Sequence, residues 1–237
     1  MNRLRVAFLN AAHEEASTAR NFRRDVDADL VEFDATGGQL PDHFDFDAAV
    51  VSGSRSSVYW DEEWIEPTKE WVAAAVDRMP VLGVCFGHQL VADALGGTVE
   101  GMGEYEIGYR TVEQTTDHHL FDGVDEEFTV FTTHSDAVTE LPPGSELLAE
   151  NDYGVHAFQK GDAFGVQFHP EYDADTATRI TKGKDLPEER IQSVLDGITE
   201  ENYRAACEAK QIFDNFCRHA RRRADEHDGG ATAASDD

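Results

Sequence analysis

The chain has 237 residues, with 48 Asp and Glu against 20 Lys and Arg and a formal net charge of −28. This length is enough for one sizeable α/β domain with a well-buried core. So large a negative excess argues against a nucleic-acid-binding or membrane-surface protein, because both of those partners are themselves negatively charged.

The acidic residues are spread through the predicted helices and loops. Three explanations for the excess of acidic residues are adaptation to high salt, binding of a basic partner and a disordered acidic region. The even distribution of the acidic residues along the chain favours adaptation to high salt. At molar ionic strength the Debye length is about 3 Å, so repulsion between surface carboxylates is screened. We therefore expect a halophilic protein that loses stability in low salt. A melting temperature that does not fall on dialysis into low salt would contradict this expectation.

Three cysteines, Cys85, Cys207 and Cys217, are present. The last two lie about 80° apart around a predicted helix, which does not suit a disulfide. We therefore expect a reducing, cytoplasmic location. The sequence shows neither a signal peptide nor a membrane span, so we expect no membrane association.

Apolar runs alternate with helical patterns along the first half of the chain, which predicts an α/β fold with a doubly wound, mostly parallel central sheet. The predicted strands are 5–10, 30–33, 48–51 and 81–84. One helix is predicted with Pro67 in its first turn and with Trp64 and Trp71 on its core face, and another is predicted over about 87–95.

The second half has a different pattern, with strand-like segments separated by turns at 107–114, 128–132, 146–149, 155–160 and 163–168. We expect these to add antiparallel strands to the same sheet. Residues 1–224 then form a single domain, in which 172–224 is a mainly helical extension. The acidic segment 225–237 is predicted to be disordered.

Gly83-Val84-Cys85-Phe86-Gly87 follows directly on a buried strand and precedes a helix. This is the layout of a nucleophile elbow, in which a tight turn exposes one reactive side chain. The flanking glycines are needed because Cβ atoms there would clash. A buried structural cysteine is the plain alternative for Cys85.

A second motif, Phe168-His169-Pro170-Glu171, ends a predicted strand some eighty residues further on. It offers a base, His169, and a carboxylate, Glu171, that can orient it, as a catalytic triad requires. Pro170 ends the strand and fixes the turn between them.

Together, Gly-Val-Cys-Phe-Gly-His-Gln and Phe-His-Pro-Glu resemble the class I (triad-type) glutamine amidotransferases, over roughly residues 5–172. The resemblance implies a flavodoxin-like sheet. It also implies Cys85 as nucleophile, His169 as general base and acid, and Glu171 as the residue that orients the histidine. Within the family, the segment beginning Ser52-Gly53-Ser54 is similar to stand-alone GMP synthase-like proteins.

The backbone N–H groups of Phe86 and Gly53 are predicted to form the oxyanion hole. For Gly53 a plain strand-to-helix turn is the alternative. The resemblance further implies that Gln89, Ser135 and Asp136 bind the amino-acid end of the substrate, with Thr133–Asp136 as a loop at the end of a strand. For Asp136, one more surface acid is an equal alternative.

No histidine spacing matches a known zinc site, and the serine-rich loop after Ser52 lacks the motif of a phosphate-binding loop. We therefore expect no metal, no ATP site and no cofactor.

The resemblance implies release of ammonia from L-glutamine through a γ-glutamyl thioester, for an acceptor on a separate synthetase partner. A γ-glutamyl peptidase with the same triad is an alternative, because similar plant enzymes cleave γ-glutamyl conjugates. Two further alternatives are an inactive scaffold and a different cysteine hydrolase that uses His88. The long extension after Glu171 argues against a role in GMP synthesis itself.

Overall fold

Short apolar segments that are buried on both faces are typical of the middle of a parallel sheet, and two such strands flank the elbow. The structure is a computed structural model that describes residues 3–13 and 16–233. Its strands are β1 (Arg5–Asn10), β2 (Asp29–Asp34), β3 (Ala48–Val51), β4 (Val81–Val84), β5 (Thr98–Gln114), β6 (Glu127–Glu140), β7 (Glu146–Asn151), β8 (Gly154–Lys160) and β9 (Ala163–Val166).

The nine strands form one sheet in the order β2-β1-β3-β4-β9-β8-β7-β5-β6. Pairing is parallel from β2 across to β9 and antiparallel from β9 across to β6. The predicted fold class is therefore confirmed. The carboxyl ends of β3 and β4 lie side by side, which places the segments that follow them at one edge of the sheet.

Helices cover both faces of the sheet. They are α1 (Ala16–Asp25), α2 (Ile65–Ala75), α3 (Phe86–Ala94), α4 (Ala174–Lys182), α5 (Glu188–Asp196), α6 (Glu200–Ala206) and α7 (Gln211–Ala233). One apolar cluster joins Phe22 of α1 and Phe213 of α7 to one face. A second cluster joins Trp71 of α2 and Leu90 of α3 to the other face. Burial on both faces is what fixes the central strands in place.

The antiparallel ribbon of β5 and β6 is much longer than expected, with 17 and 14 residues. Pairing continues past the predicted ends, from Glu106 opposite His134 to Gly101 opposite Asp136, across a register shift. The expectation that Thr133–Asp136 forms a loop at a strand end is therefore wrong. These residues lie inside β6, because β5 supplies a partner strand for them.

The chain after residue 173 is mainly helical. Helix α7 runs to Ala233, which differs from the disorder expected from residue 225; a helix already nucleated by packed turns extends at little further cost. Residues 234–237 lie outside the described part. The cysteines are all free. Among the described residues, none of the helices is both long and apolar enough to cross a bilayer.

Candidate active site

Cys85 occupies a strained backbone position between β4 and α3, with φ 54° and ψ −104°. A side chain on either flanking glycine has no room. A Cβ on Gly83 would lie 2.1 Å from the carbonyl oxygen of Gly87, and one on Gly87 would lie 2.3 Å from that of Val51. Such strain is tolerated where the surrounding structure imposes it, most often at functional sites. The elbow thus sets the cysteine at the N-terminus of α3.

His169 and Glu171 meet in the turn after β9. Nδ1 of His169 lies 2.8 Å from Oε1 of Glu171, and both side chains are buried. The backbone N–H of His169 donates to the carbonyl of Phe131 at 2.9 Å, so β6 anchors the turn. Because the carboxylate occupies Nδ1, Nε2 is left to face the cysteine.

Cys85 and His169 both lie beside Gly53 and interact electrostatically. Burial acts to lower the pKa of His169, but the charges of Glu171 and Cys85 and its hydrogen bonds to both outweigh burial and raise that pKa to about 10. An imidazolium is therefore the stable form next to the sulfur. This is the electrostatic setting in which a cysteine becomes a nucleophile.

Gly53, on the segment after β3, closes the site from the side. A Cβ there would lie 2.8 Å from Cε1 of His169 and 3.6 Å from Cβ of Cys85. Only glycine lets the backbone come this close. Ser52 holds the segment, because its Oγ accepts from the N–H of Ala11 and donates to the carbonyl of Gly53.

The residue after the His-Pro-Glu motif also belongs to the site. Tyr172 stacks on His169 with ring centroids 4.0 Å apart and 19° between the planes. This tyrosine was not predicted from the sequence. Its position directly after Glu171 was the available signal, but a sequence does not reveal which way a turn residue points.

Of the residues predicted to bind substrate, two contact each other. Nε2 of Gln89 donates to the backbone carbonyl of Asp136 and to Oε1 of Gln167, both at 2.9 Å. The Asp136 carboxylate accepts from the hydroxyls of Ser57 at 2.6 Å and Tyr59 at 2.8 Å. Asp136 is therefore not an ordinary surface acid: it ties the segment after β3 to β6.

Ser135, half-buried, lies next to Asp136 at a second cavity. That cavity is separate from the one that His169 and Glu171 line. Phe86 is buried directly after Cys85 as the first residue of α3, so its N–H is at the helix N-terminus. The structure thus brings Cys85, His169, Glu171 and Gly53 together, and it places Gln89 in contact with Asp136, next to Ser135.

A buried cluster of Glu106, His134 and His156 was not predicted from the sequence either; one candidate ligand atom of each residue lies within 4.8 Å of the others. Nε2 of His134 hydrogen-bonds Oε2 of Glu106 at 2.5 Å. Nε2 of His156 lies 3.1 Å from the same oxygen, out of line for a hydrogen bond.

Burial acts to raise the pKa of Glu106, but the hydrogen bond with His134 and the close approach of His156 outweigh burial and bring that pKa below its usual range. The contacts that the three side chains make with one another explain why they are grouped in the core. The sheet register brings these residues together, although they are far apart in the sequence.

His88 does not serve the site as a base. It is fully buried, packed against Phe158, and burial lowers its pKa to about 3. A histidine that stays neutral inside the core removes the support for a cysteine hydrolase that uses His88.

A family model for class I glutamine amidotransferase matches residues 12–183. Among curated relatives, a GMP synthase (glutamine-hydrolyzing) of Pyrobaculum aerophilum is 44% identical over 136 residues, covering 56% of this chain and 26% of the relative. Another from Staphylococcus aureus is 34% identical over 172 residues, covering 70% of this chain and 29% of the relative. The chain therefore spans only about a quarter of the length of these relatives.

Solved structures agree on the fold. A glutamine amidotransferase of Thermotoga maritima matches with a TM-score of 0.77 and 22% identity, over 92% of this chain and 99% of that one. A glutamine amidotransferase of Methylobacillus flagellatus matches with a TM-score of 0.72 and 18% identity, over 92% of this chain and 95% of that one.

Proposed function

The chain belongs to the class I glutamine amidotransferase family, and from that premise we propose that it releases ammonia from L-glutamine through Cys85, His169 and Glu171. The observation that carries the proposal is the meeting of the strained Cys85 with the His169–Glu171 pair beside Gly53. A structural cysteine requires neither a glycine-flanked turn nor an imidazolium partner.

The reaction follows from these positions. The Cys85 sulfur attacks the side-chain carbonyl carbon of glutamine and forms a C–S bond, and the N–H groups of Phe86 and Gly53 hold the oxyanion. His169 protonates the leaving nitrogen, the C–N bond breaks and ammonia departs. Water, deprotonated by His169, then hydrolyses the γ-glutamyl thioester to glutamate. Glu171 fixes the histidine tautomer and stabilises the imidazolium.

We assign the amino-acid end of the substrate to Gln89, Ser135 and Asp136. A carboxylate has about four acceptor positions, and two hydroxyls occupy part of this capacity in Asp136. The remaining lone pairs are available to the substrate ammonium group.

The acceptor of the ammonia is proposed to sit on a separate synthetase partner. The names of the relatives, which combine GMP synthesis with glutamine hydrolysis, support a synthetase as the acceptor's site. We expect the two proteins to meet in the cytoplasm, since a catalytic thiolate works in reducing surroundings.

A γ-glutamyl peptidase is the second candidate, and one observation favours it. A cavity of about 400 Å³ opens beside His169, which is far more room than a departing ammonia molecule needs. A peptidase would fill this space with the amine part of a γ-glutamyl conjugate.

One comparison separates these functions. Ammonia release from glutamine and glutamate release from a γ-glutamyl dipeptide are measured at molar salt for wild type, Cys85→Ala and the control Cys207→Ala. Glutamine turnover that only Cys85→Ala abolishes supports the amidotransferase. Cys85-dependent cleavage of the dipeptide with little use of glutamine supports the peptidase. Turnover of neither substrate supports an inactive scaffold.

A further inference from the structure

The cavity of about 400 Å³ beside His169 lies between the proposed catalytic residues and the helical extension that follows them. Gly53, His169, Glu171 and Tyr172 line it, together with Arg179 and Ile180 near the end of α4 and Gly183 and Lys184 just beyond that helix. The helical extension thus closes over the catalytic histidine. Ser135 and Asp136 line a different cavity, so the two ends of a substrate have separate places.

The charge of this cavity is the reverse of the charge of the protein. The chain carries 48 acidic and 20 basic residues. Among the described lining residues, the acidic side chain is Glu171, which His169 already engages, whereas Arg55, Arg179 and Lys184 are basic.

Two of these cations are not neutralised by described carboxylates. Arg55 is exposed and forms no ion pair with a described residue, although its charge contributes to lowering the pKa of the neighbouring His13, after the larger effect of burial. Lys184 donates to the hydroxyl of Tyr105 at 2.6 Å and lies 4.9 Å from the centre of its ring. Neither contact cancels the positive charge.

The cavity lies on the side where the amine departs. A general acid must stand next to the atom that it protonates, so the leaving nitrogen is next to His169. A group attached to that nitrogen can extend from the imidazole into the cavity that Arg55 and Lys184 also line. The α-amino and α-carboxyl groups of the glutamyl part point the other way, toward Gln89.

We propose that this cavity binds an anionic group on the amine that a γ-glutamyl substrate releases, so that the substrates include γ-glutamyl peptides ending in a carboxylate. This inference rests on the proposed attack by Cys85. The C–S bond forms, the C–N bond to the amino acid breaks, and His169 gives its proton to the departing amine. Water then hydrolyses the thioester and returns a proton to His169.

The test compares γ-glutamylglycine with γ-glutamylglycinamide, which differ only in a terminal carboxylate or carboxamide. Wild type should show a kcat/KM about tenfold higher for the carboxylate, as expected for one charge-assisted hydrogen bond. Arg55→Gln and Lys184→Met should each bring this ratio toward one. Lys182→Gln, an exposed cation on α4 that does not line the cavity, should leave the ratio unchanged.

An equal kcat/KM for the two peptides in wild type would overturn the inference, even if glutamine is hydrolysed and the proposed function stands. So would variants that slow both peptides equally, because the cations would then bind the glutamyl carboxylate that both share. If no substrate turns over, the proposed function fails instead. In that case, calorimetric titration of Cys85→Ala with each peptide tests the inference. Tighter binding of the peptide that ends in a carboxylate supports it. Equal affinity for the two peptides, or no binding of either, overturns it.

Discussion

Tyr172 stacks face to face on His169, with 4.0 Å between ring centroids. An aromatic face stabilises an adjacent cation by about 1 kcal/mol, and His169 is the residue that must hold a proton next to Cys85. Tyr172 is therefore a positioning residue in this account: it restrains the imidazole and favours its charged form.

Replacement of Tyr172 tests this role. Tyr172→Leu should lower kcat/KM for glutamine about tenfold and shift the pH profile of Cys85 alkylation, because the imidazolium loses its aromatic neighbour. Tyr172→Phe keeps the ring and should stay close to wild type. A leucine variant with an unchanged alkylation profile would assign the tyrosine a packing role only.

The His169–Glu171 pair predicts a specific dependence of stability on pH. The pKa of His169 is about 10 in the folded protein against 6.5 for an unperturbed histidine. The protonated ring therefore contributes stability that is fully present below about pH 6.5 and is lost as the pH rises toward 10.

Glu171→Gln removes the carboxylate that raises this pKa. Thermal melting between pH 6 and 10 should then fall less steeply in the variant than in wild type, and glutamine turnover should drop at least about a hundredfold. Parallel melting curves for the two proteins would show that the pair contributes no such linkage.

Gly53 is predicted to tolerate no side chain. In Gly53→Ala the new Cβ would meet the His169 ring at 2.8 Å, so either the imidazole or the oxyanion segment must move. We expect turnover to fall about a hundredfold or more, as for loss of an oxyanion donor, with little change in melting temperature. Gly197→Ala, where the nearest contact would be 3.3 Å, is the control and should remain active.

Glu106 should matter for folding more than for chemistry. Glu106→Gln leaves His134 and His156 buried without their anion, and loss of one partner of a buried pair costs about 3 kcal/mol. Because the pKa of Glu106 is lowered, its contribution is present above the usual carboxyl pKa and lost as the pH falls further. Urea unfolding at pH 7 and pH 4 should show a difference between variant and wild type that shrinks in acid.

How much the sequence could predict depended on the kind of contact. The buried runs at Val50 and Leu82 indicated central strands, and the glycines around Cys85 indicated the elbow, because each signal is local. The long β5–β6 ribbon was missed because polar residues such as Glu104 interrupt its pattern. Pairing with a neighbouring strand overrides weak local preference.

Contacts between residues far apart in the sequence could not be predicted from local sequence patterns either. The hydroxyls of Ser57 and Tyr59 reach Asp136 across 79 and 77 positions. His156 and Glu106 meet only because their strands lie in one sheet in a particular register. A single sequence contains no periodicity that reports such a register.

The central claim is that Cys85 carries a γ-glutamyl group during turnover. The most direct measurement mixes the protein with glutamine at molar salt, quenches in acid within the first turnovers, and determines the mass of the peptide that contains Cys85. The account predicts that this peptide gains one γ-glutamyl group in wild type, and that Cys85→Ala gains none. Glutamine hydrolysis that persists in Cys85→Ala would contradict the account.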